Sequence, residues 1–231
     1  MEHIRKNWLD LAERIARAAE RVGRTADAVE VVAVSKTRSA QEVEAACRCG
    51  LRLLGENRVR ETANKKALVG EEAAWHLIGH LQSNKAGKAV ELFDMVQSVD
   101  RLSLAHALAR RAAAAGRRLD ILVQVNTADS ESQSGAAPEE AVNLVGQIAE
   151  LPSLQVRGLM TIGAHATDEA LVRASFARLR LLREDIITAD LAVRMDYLSM
   201  GMSGDFEWAI AEGANLLRLG TAIFGARDGA G

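Results

Sequence analysis

The sequence is poor in several features that define common classes of protein. Its 231 residues include two cysteines, two prolines and 3% aromatic residues. The cysteines, Cys47 and Cys49, lie two positions apart in a stretch of helical periodicity, so their side chains point to different faces. That spacing excludes both a disulfide between them and a chelating pair. Free thiols are typical of a reducing compartment, and we expect a cytoplasmic location.

Long apolar segments and an excess of charge of one sign are also missing. No run approaches the roughly 20 apolar residues that cross a bilayer, and the first ten residues carry Glu2, Arg5, Lys6 and Asp10 without an apolar core. Lys and Arg number 29 and Asp and Glu number 31, which gives a formal net charge of −2. We therefore expect no membrane partner, and no nucleic-acid partner, because a basic stripe that would neutralise phosphates is missing.

What the sequence contains is a regular alternation of short apolar runs and helical segments. An amphipathic opening helix is indicated by Ile4, Trp8, Leu11 and Ile15 at helical spacing. Helical segments then separate the strand candidates, which are Val29–Lys36, Leu51–Asn57, Trp75–His80, Met95–Val99, Leu119–Asn126, Leu154–Ala164, Met195–Gly201 and Asn215–Gly225.

Strict alternation of strand and helix implies parallel pairing of the strands. The two prolines agree with this layout, because Pro138 lies at the first position of a predicted helix and Pro152 follows its last turn. Eight such units, in slightly fewer than the ~250 residues usual for the fold, predict an α/β protein of the (β/α)8 TIM-barrel type. We expect one domain over residues 1–231 with an extra N-terminal helix. A doubly wound open sheet would give a similar local pattern.

The first predicted strand ends in a lysine. Side chains alternate along a strand, so Val32, Val34 and Lys36 lie on one face. A barrel carries its reactive groups at the carboxyl ends of its strands. A lysine among apolar neighbours loses stabilisation of its ammonium form, which frees the amine to attack an aldehyde. Lys36 is therefore a candidate Schiff-base lysine; the alternative is a solvated lysine at the start of a loop.

The last two strands indicate an anion site. The loop Gly201–Asp205 leads into a helix, and the eighth strand contains Arg218, Gly220 and Thr221. Glycines let backbone N–H groups approach a phosphate, Ser203 and Thr221 offer hydroxyl donors, and barrels often bind phosphate at these two loops. A guanidinium on the inward face of the strand needs an acceptor. The alternative is a pair of ordinary glycine-bearing turns.

The remaining strand ends are less specific. Asn57 closes the second strand and could bond a ring substituent or cap the next helix. His76 and His80 share a strand face but lie four residues apart without an accompanying carboxylate, which argues against a metal site. Met160 falls within the sixth strand, where methionine is more often core than cofactor wall.

Seven segments, in order along nearly the whole chain, resemble the pyridoxal phosphate homeostasis proteins, single-barrel relatives of the amino-terminal domain of alanine racemase. Any one of these segments would be weak evidence, but the ordered set is specific. The segments are Ala33–Thr37, Gly55–Asn57, Trp75–Gly79, Leu81–Lys85, Arg157–Met160, Ser199–Ser203 and Arg218–Gly225.

The resemblance implies that the chain binds pyridoxal 5′-phosphate at seven residues, with no catalytic residue and no metal. Their implied roles are the Schiff-base linkage for Lys36, the pyridine nitrogen for Arg218, the phosphate for Ser203, Gly220 and Thr221, and the ring for Asn57 and Met202.

Three positions depart from the family pattern. Gln133 stands where relatives commonly carry a lysine, Gly204 where an aspartate is usual, and Ser39 where a proline is frequent. The missing second lysine puts in doubt a role of the Gln133 loop in passing the cofactor to acceptor enzymes.

Three functions follow as hypotheses. The first is a monomeric carrier that serves vitamin B6 homeostasis, with pyridoxal phosphate and apo-enzymes that accept it as partners, and without substrate turnover. The second is a racemase-like enzyme, which needs a proton-transfer group on each face of the cofactor. Lys36 supplies one, but the only tyrosine, Tyr197, lies within a predicted strand. The third is a barrel that binds a phosphorylated metabolite, with Lys36 pairing its charge.

Overall fold

The structure is a computed structural model that describes residues 1–70 and 73–226. Within these residues, eight parallel strands alternate with helices and close into a barrel in chain order, with the last strand pairing back to the first. The strands are β1 Glu30–Val34, β2 Leu53–Glu56, β3 Ala74–Leu77, β4 Met95–Val99, β5 Leu119–Gln124, β6 Leu154–Met160, β7 Tyr197–Ser199 and β8 Leu216–Leu219. The predicted (β/α)8 fold is confirmed, and the open sheet is excluded.

Helices cover the outside of the barrel. The first packs against the two C-terminal helices through one buried face that includes Ile4, Leu11 and Ile15, as its amphipathic spacing predicts. The helices are α1 Glu2–Glu20, α2 Ala40–Arg48, α3 Val59–Val69, α4 Ala86–Leu92, α5 Leu102–Ala114, α6 Pro138–Ala149, α7 Glu169–Thr188, α8 Phe206–Ala211 and α9 Thr221–Phe224. None of those in the described part of the chain is long and apolar enough to span a membrane.

Several predicted strands are too long at their carboxyl ends. The largest error is at the eighth strand, predicted over Asn215–Gly225 but observed only over Leu216–Leu219. After Gly220 the chain forms α9, so Thr221 lies in the first turn of a helix and not on a strand. The apolar residues of α9, among them Ile223 and Phe224, are buried against α1, and a short buried helix cannot be told from a strand by an apolar run alone.

The interior of the barrel and the layer beneath the helices are packed separately. Residues from five strands form the small interior cluster, which consists of Val32, Met95, Leu122, Met160 and Leu216. The other face of the sheet and the helices share the large cluster. The interior cluster closes the barrel from below, so the groups at the carboxyl ends of the strands surround a cavity above it. The single domain predicted over 1–231 includes residues that lie outside the described part.

Candidate functional site

All seven residues predicted to bind the cofactor line one cavity of about 500 Å³ at the carboxyl ends of the strands. They come from the ends of β1, β2 and β8 and from the loop after β7. Six further residues complete the lining: Val34, Ile78, Met160, Ile162, His165 and Gly204. No Asp or Glu is among these residues. Such a cavity suits a small anionic ligand with an apolar ring.

Lys36 lies two residues after the end of β1, and the backbone turns sharply after it. Val32 belongs to the interior cluster, and Val34 lines the cavity together with Lys36, so the predicted face of this strand is confirmed. The next residue, Thr37, has φ of 64°, a left-handed conformation that is rare for a β-branched residue. Strained backbone of this kind persists only where its surroundings hold it.

A buried ion pair holds the chain next to Lys36. Glu56 is fully buried, and its Oε1 accepts from Lys65 Nζ at 2.6 Å and from Ser35 Oγ at 2.7 Å. Lys65 Nζ also donates to the Ser35 carbonyl oxygen at 2.6 Å. The pair therefore ties the end of β1 to the end of β2 and to α3. Sequence reasoning missed it, because no local pattern links an α3 lysine to a strand-end carboxylate.

Arg218 is buried in the floor of the cavity, as the face of β8 predicted. Its Nη1 donates to Ser199 Oγ at 2.8 Å and its Nη2 donates to the Thr161 carbonyl oxygen at 2.7 Å. Burial lowers the pKa of Arg218 to about 10, and the charge of Asp205 opposes that shift. These two protein acceptors leave further guanidinium donors for a ligand.

A chain of buried hydrogen bonds continues from Arg218 across the barrel. Ser199 Oγ donates to Gln97 Oε1 at 2.6 Å, and Gln97 Nε2 lies 2.9 Å from His76 Nδ1. Arginine can only donate, so the serine proton goes to the glutamine oxygen and the glutamine amide donates to His76 Nδ1. Burial lowers the pKa of His76 to about 4, so the ring is neutral at pH 7 with its proton on Nε2.

The loop after β7 and the start of α9 meet at one side of the cavity. Ser203 Oγ accepts from the Ala222 backbone N–H at 3.1 Å, and Asp205 Oδ1 accepts from the Met202 N–H at 2.6 Å. Gly201 has φ of 93°, and a Cβ there would lie 2.6 Å from the Ala209 side chain, so the tight turn requires glycine. Burial raises the pKa of Asp205.

Other residues singled out in the sequence have structural roles or lie apart. Asn57 lines the cavity and does not cap α3, whose N-cap is Arg58. His76 is buried and His80 is exposed, and no group that could hold a metal occurs among residues 1–70 and 73–226. Met160, interpreted as core, is both core and cavity wall.

Two of the three departures from the family pattern have local explanations. Ser39 forms a capping box with Glu42 at the start of α2, and its side chain stabilises the helix by accepting from the Glu42 backbone N–H. Gln133 donates to the Gly163 carbonyl oxygen at 2.9 Å. Gly204 lines the cavity, and a Cβ there would meet nothing within 4 Å.

His165 is the lining residue with titratable chemistry that the sequence did not indicate. It lies exposed in the loop after β6, at the mouth of the cavity. Tyr197 lies in β7, packs against the interior cluster and does not line the cavity. The only signal for His165 is a lone histidine a few residues past a strand, which is too common to single out.

Comparison with known proteins agrees with the fold. The family model described as "Alanine racemase, N-terminal domain" matches residues 9–228. The pyridoxal phosphate homeostasis protein of Pseudomonas aeruginosa is 43% identical over 99% of this chain and 97% of its own length. The structure of PipY of Synechococcus elongatus with PLP bound has a TM-score of 0.82 and 38% identity over 93% of this chain and 99% of that one.

A more distant structural match shows the fold alone. Alanine racemase of Clostridium difficile has a TM-score of 0.80 at 14% identity and covers 100% of this chain, which spans 58% of the racemase. Fold and site thus define a single barrel of the alanine racemase N-terminal type. The chain belongs to the family of pyridoxal phosphate homeostasis proteins.

Proposed function

We propose that this protein binds pyridoxal 5′-phosphate through a Schiff base on Lys36 and serves vitamin B6 homeostasis, holding and releasing the cofactor without turning over a substrate. One observation carries the proposal: Lys36, Arg218 and the hydroxyls of Ser203 and Thr221 line a single cavity without a carboxylate. The name of the curated relatives and the PLP-bound structure of PipY support it.

The donor set fits this cofactor. The Lys36 amine suits the aldehyde, and Ser203, Gly220 and Thr221 offer two hydroxyls and backbone N–H groups for the phosphate. Arg218 suits the pyridine nitrogen, with Asn57 and Met202 beside the ring. Three apolar residues supply walls for the ring: Val34, Ile78 and Met160.

Arg218 weakens the bound ring as an electron sink, although an arginine at this position does not exclude racemisation by itself. Bound pyridoxal phosphate supplies an aldehyde and an electron-withdrawing ring, which withdraws most strongly when its nitrogen is protonated. Arg218 stays cationic at neutral pH, because its pKa is about 10 even after burial. A cationic donor holds the ring nitrogen as an unprotonated acceptor, which weakens electron withdrawal by the ring.

A racemase-like activity is the second candidate, and His165 favours it. A racemase needs two proton-transfer groups, and His165 is a titratable side chain that lines the same cavity as Lys36. The test is chiral analysis of L-alanine incubated with the loaded protein. Rapid formation of D-alanine that is lost in both Lys36→Ala and His165→Ala would replace the carrier proposal by an enzyme.

The carrier proposal is tested by the absorption spectrum during titration of the apoprotein with pyridoxal phosphate. A Schiff base on Lys36 absorbs in the visible range, and this band should form in the wild type and be absent in Lys36→Ala. Lys6→Ala, at an exposed lysine of α1, is the matched control and should behave as the wild type. Phosphate binding without a visible band would favour the phosphorylated-metabolite hypothesis instead.

We further propose a cytoplasmic, monomeric protein that passes its cofactor to apo-enzymes. The Gln133 side-chain amide donates to the Gly163 carbonyl oxygen and cannot form a Schiff base. Transfer of the cofactor would therefore proceed without a second lysine in that loop. Incubation of the loaded protein with an apo-enzyme measures the transfer, and light scattering measures the mass. Cofactor transfer no faster than its spontaneous release into buffer would contradict a direct handover.

A further inference from the structure

A second cavity, of about 630 Å³, lies beside the cofactor site among the described residues. It is bounded by the loop after β2 and α3 on one side and by the loop after β3 and α4 on the other. Its lining includes Asn57, Arg60, Leu77, Leu81, Gln82 and Lys85. A cavity of this volume falls in the range of small-molecule sites, roughly 300–1,000 Å³.

The floor of this second cavity is apolar and its rim is cationic. Leu77 and Leu81 form the buried floor, with exposed fractions of 0% and 2%. Arg60 and Lys85 are exposed rim residues that make no ion pair with any residue in 1–70 or 73–226. An apolar floor under free cations suits a ligand with a flat ring and a phosphate.

No carboxylate is among the lining residues of the second cavity, although Asp100 lies 3.6 Å from the lining residue His80. The two other rim cations are already paired, Arg58 with Glu61 at 3.3 Å and Lys88 with Glu91 at 2.6 Å, and neither glutamate lines the cavity. The lining thus contains four Arg or Lys side chains and no Asp or Glu. Two of the four remain available for an anion.

One segment of the resemblance in sequence lines the second cavity and not the cofactor site. Residues Leu81–Lys85 belong to the resemblance in sequence, but none of them lines the Lys36 cavity. Three of them, Leu81, Gln82 and Lys85, line the second cavity. Asn57, the residue after β2, lines both cavities, so the two cavities are neighbours.

We propose that this second cavity binds a phosphorylated form of vitamin B6 without a covalent bond, beside the molecule linked to Lys36. The proposal rests on the proposed function, because it takes the ligand class from the neighbouring site. Phosphate lies at the rim against Arg60 and Lys85, and the ring lies on Leu77 and Leu81.

The experiment uses protein loaded with pyridoxal phosphate and reduced with borohydride, so that the Lys36 cavity stays filled. The probe is pyridoxine 5′-phosphate, which has no aldehyde and cannot form a Schiff base. Equilibrium dialysis should show one further saturable equivalent per chain. Arg60→Gln and Lys85→Gln should each weaken this binding about tenfold, the loss of one charge-assisted hydrogen bond. Lys6→Gln is the control and should change it less than twofold.

Three outcomes would overturn the proposal. These are no saturable binding to the reduced protein, equal weakening by Lys6→Gln, and an affinity for inorganic phosphate equal to that for pyridoxine 5′-phosphate. Failure of the proposed function gives a different result, because borohydride would then fix no pyridoxyl group on the protein. In that case the same variants are compared by dialysis on the unreduced protein, where the second cavity is still identified by the effect of Arg60→Gln and Lys85→Gln.

Discussion

Burial of His76 makes the free energy of unfolding depend on pH. The ring is 6% exposed, accepts a hydrogen bond from Gln97, and has its pKa lowered from 6.5 to about 4 by burial. In the unfolded chain the ring takes up a proton near pH 6.5, whereas in the folded chain it stays neutral down to about pH 4. The unfolded state therefore binds more protons between these values, and the free energy of unfolding falls as the pH falls.

The size of this effect follows from the two pKa values. Each pH unit within that window is worth about 1.4 kcal/mol, so lowering the pH from 7 to 5 should remove about 2 kcal/mol through His76 alone. Burial also raises the pKa of Asp205, so the measured quantity is a difference between variants. His76→Gln keeps an acceptor for the Gln97 amide and removes the titration.

Urea unfolding of the apoprotein at pH 7 and pH 5 measures the contribution. The loss of unfolding free energy on acidification should be about 2 kcal/mol smaller in His76→Gln than in the wild type. His106→Gln removes an exposed histidine of α5 and should leave the wild-type loss unchanged. Equal losses in the wild type and His76→Gln would refute the reasoning, because His76 would then titrate alike in both states.

Further predictions concern the cavity and the ion pair beside it. Thr221→Val and Ser203→Ala should each weaken pyridoxal phosphate binding by about 1–3 kcal/mol in titrations of the apoprotein, and unchanged affinity in both would remove the phosphate site. Lys65→Met leaves Glu56 buried without its cation and should lower the free energy of unfolding by about 3–5 kcal/mol, with Lys65→Met/Glu56→Gln recovering part of it in urea melts; a loss under 1 kcal/mol would contradict the pairing. Exchange of the α-proton of L-alanine in deuterated water should stay near background, and fast exchange abolished by Lys36→Ala would restore the enzyme hypothesis.

The fold could be predicted because its signal is repeated along the chain. Each strand is a short apolar run and each helix an amphipathic one, so errors at single boundaries did not change the count or the order of the predicted strands. The errors concentrate where the chain leaves the barrel. Thr221 to Phe224 form a helix that packs against α1. Because α1 lies about 200 positions away in the sequence, no local sequence pattern indicates this packing.

The cavity could be predicted because strand ends in a barrel meet at one rim. Arg218 was identifiable as a charged residue on the inward face of β8, and Lys36 as a charged residue that continues the inward face of β1 two residues beyond its end. The pairing of Glu56 with Lys65 and the chain from Arg218 to His76 could not be identified, because they join side chains from separate strands and helices whose distances only the fold sets.

The position of the covalent link tests the account most directly. The protein loaded with pyridoxal phosphate is reduced with borohydride, digested and mapped by mass spectrometry. The account predicts one pyridoxyl group per chain, on Lys36. A label found mainly on Lys65, Lys66 or Lys85 would contradict it.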